Sequence, residues 1–245
     1  MDGKRWQAFC RARDRFREFT ESLDRELPGL RALQQSLADS RGGPAYTVET
    51  PVLYNFRLDE LGPKDRINLI LVADNPGRRE QAAENRRYLV GPSGKIARRF
   101  FHEHPELGVD FDHTVIILNK TPIHSPRTQE LRELCLLGGP ALAAALAASQ
   151  RVMAELLLEF HRSLAAPVWI TGYSEMRRRG IFEAYTAALT ELYGGEALRE
   201  GVFLYRHFSM NQFTIDLKQQ REAGEGSAAA LERMGRAYRQ RILRW

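Results

Sequence analysis

Two cysteines in 245 residues, Cys10 and Cys135, leave little room for metal or disulfide chemistry. They form no CxxC and no His–Cys cluster, so a zinc or iron–sulfur site lacks ligands and a reducing compartment is expected. Nucleotide signatures are missing too. No GxGxxG follows an apolar run, which removes support for a dinucleotide fold. The segment Gly91-Pro92-Ser93-Gly94-Lys95 invites comparison with a phosphate-binding P-loop, but Leu89 stands where its first glycine belongs. Ile96 stands where it needs Ser or Thr, so a nucleotide-triphosphatase reading fails. Residues 1–25 are charged throughout and hold no signal-peptide core, and no apolar run is expected to reach membrane-spanning length. The expectation is a cytoplasmic protein with no membrane partner. Charge of one sign is only mildly in excess, at +5, which leans toward a polyanionic partner such as nucleic acid.

What is present reads as alternating strands and helices. Four short apolar runs, starting at Ile67, Thr114, Val168 and Val202, are branched and show no alternation, as strands covered on both faces do. Helical patterns separate them, over 96–104, 129–146, 152–164 and 181–193. That order predicts βαβ crossovers: a three-layer α/β/α fold with a four-stranded, mainly parallel sheet. Trp6, Phe9, Phe16, Phe19, Leu23 and Leu27 recur at helical spacing, so an amphipathic N-terminal helix should dock on the body with its charges solvated. A second short helix is expected from Leu30, a loop at Gly42-Gly43-Pro44, and an extended stretch over 52–56. A C-terminal helix carries Leu231, Met234, Tyr238 and Ile242. The expectation is one monomeric domain over 1–245: a helical extension (1–45), a core (46–220) and a terminal helix (225–245).

Each apolar run ends in polar residues: Asp74-Asn75, Asn119-Lys120, Gly172-Tyr173-Ser174 and Arg206-His207. The carboxyl ends of parallel strands share one edge of the sheet, which is where open α/β sheets bind ligands. A crevice lined by these groups follows. The turn at 91–95 opens a helix whose free amides suit a phosphate or simply begin the helix.

In combination these pieces resemble the uracil-DNA glycosylase superfamily. The matching segments are ADNPG after the first strand, RYLVGPSGK, ILNKTP at the second and HFSMN after the fourth, across about residues 67–215. The resemblance implies a monofunctional DNA-repair glycosylase that flips uracil, or a related deaminated base, out of DNA and hydrolyses its N-glycosidic bond without metal or cofactor. Asn75 matches the water-holding Asn of one branch and Asp74 the catalytic acid of another; Asn75 is the expected water holder, with Asp74 as its rival. His207 matches the donor that steadies the departing base. Asn119 matches the amide that reads the base edge, with Pro76 and Gly77 shaping the pocket and Ser209 on a flanking phosphate. Leu89 takes the place of a stacking Phe, with Tyr88 available to compensate. Phe208 replaces the family's Pro. Met210 or Phe213 would fill the gap left by the extruded base, and Gly91, Ser93, Gly94, Lys95, Lys120 and Asn211 would line the DNA. Arg98, Arg99 and the run Arg177-Arg178-Arg179 are candidate backbone contacts. The iron–sulfur branch is excluded for want of cysteines. The alternative is a nucleic-acid-binding protein with this fold and no catalysis.

Overall fold

A computed structural model describes residues 1–41 and 45–245; the loop expected at Gly42-Gly43-Pro44 lies outside them. The four apolar runs are strands β1 (Leu69–Ala73), β2 (Val115–Asn119), β3 (Val168–Thr171) and β4 (Val202–Tyr205). All pair in parallel, in the order β2-β1-β3-β4, so the sheet is wholly parallel. Every residue of β1, β2 and β3 is buried, which explains why none alternates in polarity.

Among the described residues seven α-helices surround the sheet in a three-layer α/β/α arrangement: α1 (Gly3–Glu26), α2 (Leu30–Ser40), α3 (Pro92–Glu103), α4 (Thr128–Leu164), α5 (Glu183–Tyr193), α6 (Gln212–Gln220) and α7 (Ser227–Leu243). On one face, Phe101 of α3 packs 5.5 Å from Trp169, and Phe213 of α6 packs 5.1 Å from Tyr205. Gly235 lets α7 join that face, since a Cβ there would lie 2.6 Å from the Tyr205 hydroxyl. α1, α4 and α5 pack on one another, with Phe9 on Phe160 at 5.5 Å. α1 is thus part of the body, with Phe9 and Phe16 fully buried. Some of its arginines are paired, Arg15 with Glu155 and Glu159 and Arg17 with Asp59.

Several expectations need correcting. The two helices foreseen over 129–146 and 152–164 divide elsewhere: α4 breaks at Gly139 (φ 70°, ψ −167°) before Pro140 and continues without a break through 147–151. The polar residues between the two patterns are buried and bonded. Gln150 bonds Ile181 and Tyr185 of the neighbouring segment, and Ser149 meets Thr121 at 2.7 Å. By length and composition α4 also reaches membrane-spanning size, with a window of mean hydropathy 1.4, contrary to the expected absence of such a run. The 52–56 stretch contributes a single antiparallel bridge, Val52 to Ile123.

Candidate active site

Parallel register brings the strand ends together. Ala73 lies beside Asn119, so Asp74 and Asn119 are neighbours at the carboxyl edge of β1 and β2. The amide of Lys120 bonds the Ala73 and Asp74 carbonyls and locks this corner. On the other side, β3 ends at Gly172, whose φ is 79°. A Cβ there would lie 2.4 Å from Asp74 Oδ1, so glycine is what leaves room for the carboxylate.

Asp74 is buried and held from two sides. Lys120 Nζ donates to Oδ1, and Thr128 Oγ1 lies 3.1 Å from Oδ2. Thr128 stands at the first turn of α4, whose amino end favours a negative charge. Lys120 is completely buried, with the Thr171 carbonyl as a further acceptor and the Phe182 ring 4.9 Å away. Burial lowers its pKa, and the Asp74 charge opposes that fall. The expected role of Lys120 on DNA is therefore wrong: an ammonium sealed beneath the sheet edge reaches no phosphate.

Asn75 is tethered differently. Its amide nitrogen donates to the Ser125 carbonyl at 2.9 Å, and the Ser125 hydroxyl lies 3.0 Å away. Its Oδ1 lies 3.2 Å from the Thr128 hydroxyl, which has one proton to share between Asn75 and Asp74. Pro76 helps bind the same loop, its carbonyl accepting from the Ser125 amide and meeting His124 Nδ1 at 2.9 Å. Burial pushes His124 down to about 4, so it is a neutral strut.

His207 is half-buried beyond β4. Burial lowers its pKa, and the charges of Asp74 and Lys120 both act on the ring, which places it in the same corner. The Ser209 amide donates to Nδ1 at 3.0 Å. In the neutral ring the proton therefore sits on Nε2, a donor free to face a ligand. This bond occupies the Ser209 amide, and the residue, expected on a flanking phosphate, is half-buried. Phe208, standing where the resembled family has Pro, is fully buried and stacks on Phe213 at 4.3 Å. The same stack removes Phe213 as a wedge. Met210 remains, 83% exposed on a left-handed backbone, beside exposed Asn211.

Asn119 is the most unusual group of the corner. It is 1% exposed, and neither its oxygen nor its nitrogen has a hydrogen-bond partner. An unpaired buried amide costs roughly 1–3 kcal/mol, a cost that folding alone gives no reason to keep. The amide is sealed from solvent, and the two open grooves of about 700 and 630 Å³ lie elsewhere. A ligand reaching Asn119 must displace part of the surrounding loops.

The turn at 91–95 holds no vacant nest. Glu80 fills it, accepting from the Gly77 amide at 2.8 Å, with the Leu89 and Gly91 amides also turned toward it. Gly94 is pressed under the Leu89 carbonyl. The expected DNA contacts from Gly91 and Gly94 are thus internal; Ser93 is half-buried and Lys95 exposed. Leu89 is buried with φ 53°. Tyr88 cannot stand in for a stacking ring, because it faces the core and donates to the Leu53 carbonyl at 2.6 Å.

Burial pushes Glu80 up to about 7 despite its amide partners. The folded chain then keeps a proton that the unfolded chain releases near its ordinary value of 4.5. Its contribution to stability should fall as pH rises from about 4.5 to 7, by roughly 3 kcal/mol at most, against the rise that buried His124 and His161 contribute over the same range. Urea denaturation at pH 5 and pH 7 checks this. Glu80→Gln should remove this fall, so the variant's stability should rise more steeply from pH 5 to pH 7 than the parent's, and an unchanged difference between the two pH values would contradict the role of Glu80.

Sequence reasoning overlooked Glu80, His124, Ser125 and Thr128. Comparison with protein-family models and with curated proteins finds no match to the chain.

Proposed function

We propose that the chain is a DNA glycosylase that hydrolyses the N-glycosidic bond of uracil, or of a related deaminated base, flipped out of DNA. The observation carrying this reading is the unpaired buried amide of Asn119 at the carboxyl edge of the sheet, where the register sets it opposite Ala73, the residue before Asp74. A carboxamide offers one donor and one acceptor side by side, which complements O4 and N3–H of uracil and mismatches cytosine. The base would supply the partners that folding withholds.

Asp74 is the catalytic carboxylate in this reading. Cleavage leaves an oxocarbenium-like sugar and an anionic base, so a carboxylate beneath the sugar stabilises the cation and orients the attacking water. Its Oδ2 has only the shared Thr128 hydroxyl as partner, whereas the Asn75 nitrogen is committed to Ser125. Asn75 then serves to anchor the Ser125 loop. His207, neutral with its proton on Nε2, donates to the departing base as negative charge develops.

Asn119→Leu tests the reading through two opposed effects. Removing the unpaired amide should raise stability by roughly 1–3 kcal/mol, while excision of uracil falls to background. A variant that is more stable and equally active would show that the amide reads nothing.

One observation favours the alternative of a nucleic-acid-binding protein without catalysis: Lys120 is buried against Asp74 and offsets its charge. Comparison of excision with DNA affinity separates the two, since binding without excision is the outcome this alternative expects.

A further inference from the structure

A groove of about 630 Å³ runs between the turn after β3 and the carboxyl end of α7. Arg177 and Arg178 line one side, Arg241 and Arg244 the other, and all four are exposed. Glu183 is the one acid on its wall, and its carboxylate accepts from the Arg179 amide at 2.9 Å. Among the described residues none of the four arginines forms an ion pair, while many neighbouring cations do. Arg132 meets Glu175, Arg206 meets Asp216 and Arg239 meets Glu200. Arg98 and Arg99, which the sequence offers as DNA contacts, are also neutralised, by Asp112 and Glu103.

The groove lies near the Asp74 corner of the sheet edge. Tyr173 follows Gly172, the residue that abuts Asp74, and its ring carries Arg177 at 5.6 Å and Arg241 at 5.2 Å. Arginines in the last turn also complement the dipole of α7, which accounts for Arg241 and Arg244. It does not account for Arg177 and Arg178, which belong to another element and face the same space.

We propose that this groove holds the sugar–phosphate backbone of a DNA strand running on from the Asp74 corner. The choice of DNA rests on the glycosylase reading; the charge and shape of the groove do not. Four guanidiniums with no protein counter-ion suit successive phosphates, each of them releasing condensed counter-ions on binding.

The test uses the full chain and undamaged oligonucleotides, single-stranded and duplex, with affinity measured over a range of salt. For every arginine that ceases to meet a phosphate, the slope of log affinity against log salt should shrink by roughly 0.7 on a single strand and 0.9 on a duplex. Arg177→Gln with Arg178→Gln, and Arg241→Gln with Arg244→Gln, should each reduce the slope by about 1 to 2 and weaken low-salt affinity at least several-fold. Arg98→Gln with Arg99→Gln should leave the slope unchanged. If the α7 pair lowers the melting temperature, the pair on the turn decides alone. An unchanged slope in both pairs overturns the proposal, as does binding to anionic phospholipid vesicles without binding to DNA. Because the DNA is undamaged, failure to excise uracil leaves this result standing. Uracil excision with a slope indifferent to the groove sinks the groove alone.

Discussion

Lys120→Met should destabilise the fold by roughly 3–5 kcal/mol, the largest stability effect expected of any substitution at the sheet edge. Lys120 is fully buried and donates to Asp74 and to the Thr171 carbonyl. Methionine fills the space but leaves the Asp74 carboxylate buried without its counter-ion, and a lone buried charge costs more than the pair contributes. The rescue is the sharper half of this result. Combining Lys120→Met with Asp74→Asn removes both charges, so most of the lost stability should return. Chemical denaturation of the two single variants and the double variant gives the coupling directly. A double variant as unstable as the sum of the singles would mean that Lys120 is held by its packing near Phe182 and not by its charge partner.

Asp74→Asn should lower the rate of uracil release by a factor on the order of 10³, with affinity for DNA changed only a few-fold. The amide has the same outline as the carboxylate and still fits against Gly172. It lacks the charge that stabilises a developing sugar cation, and it is a poorer acceptor for the attacking water. Lys120, whose pKa burial lowers, loses the charge that opposes that fall, so its pKa should drop further once its partner is neutral. Single-turnover kinetics with damaged and undamaged oligonucleotides separate the chemical step from binding. Asn75→Ala is the matched comparison. Because Asn75 bonds Ser125 and the loop before α4, its loss should loosen the site and reduce the rate less than Asp74→Asn does.

The scaffold was open to reading because its physics is local. Strands buried on both faces must be continuous apolar runs, and Leu69–Ala73 and Val115–Asn119 are such runs. That Asp74, Asn119 and His207 lie at the carboxyl edge of the sheet followed from parallel topology, whereas singling them out among the strand-end residues rested on the resemblance. Long-range partnership was not readable. Ser149 and Gln150 look like a break between helices until Thr121, Ile181 and Tyr185 appear opposite them. Lys120 looks like a surface lysine beside a strand end, and only the adjoining Asp74 and Thr171 carbonyl make burial tolerable. Glu80 sits among charged loop residues, and nothing nearby in sequence announces that the turn at 91 closes around it. The Ser125 and Thr128 tethers fall in a Pro-punctuated segment, KTPIHSPRT, whose density of hydroxyls and its His were the available signal. Phe208, a departure from the resembled motif, is explained by its stack on Phe213.

The most direct measurement is uracil release by the purified chain from a single-stranded and a duplex oligonucleotide, each holding one uracil, with hypoxanthine and xanthine substrates alongside. A glycosylase built on Asp74 and Asn119 should yield free base and an abasic strand from at least the uracil substrates, and both products should vanish in Asp74→Asn and Asn119→Leu. Intact strands for all three bases in both forms, under conditions where the folded protein binds that DNA, would contradict it.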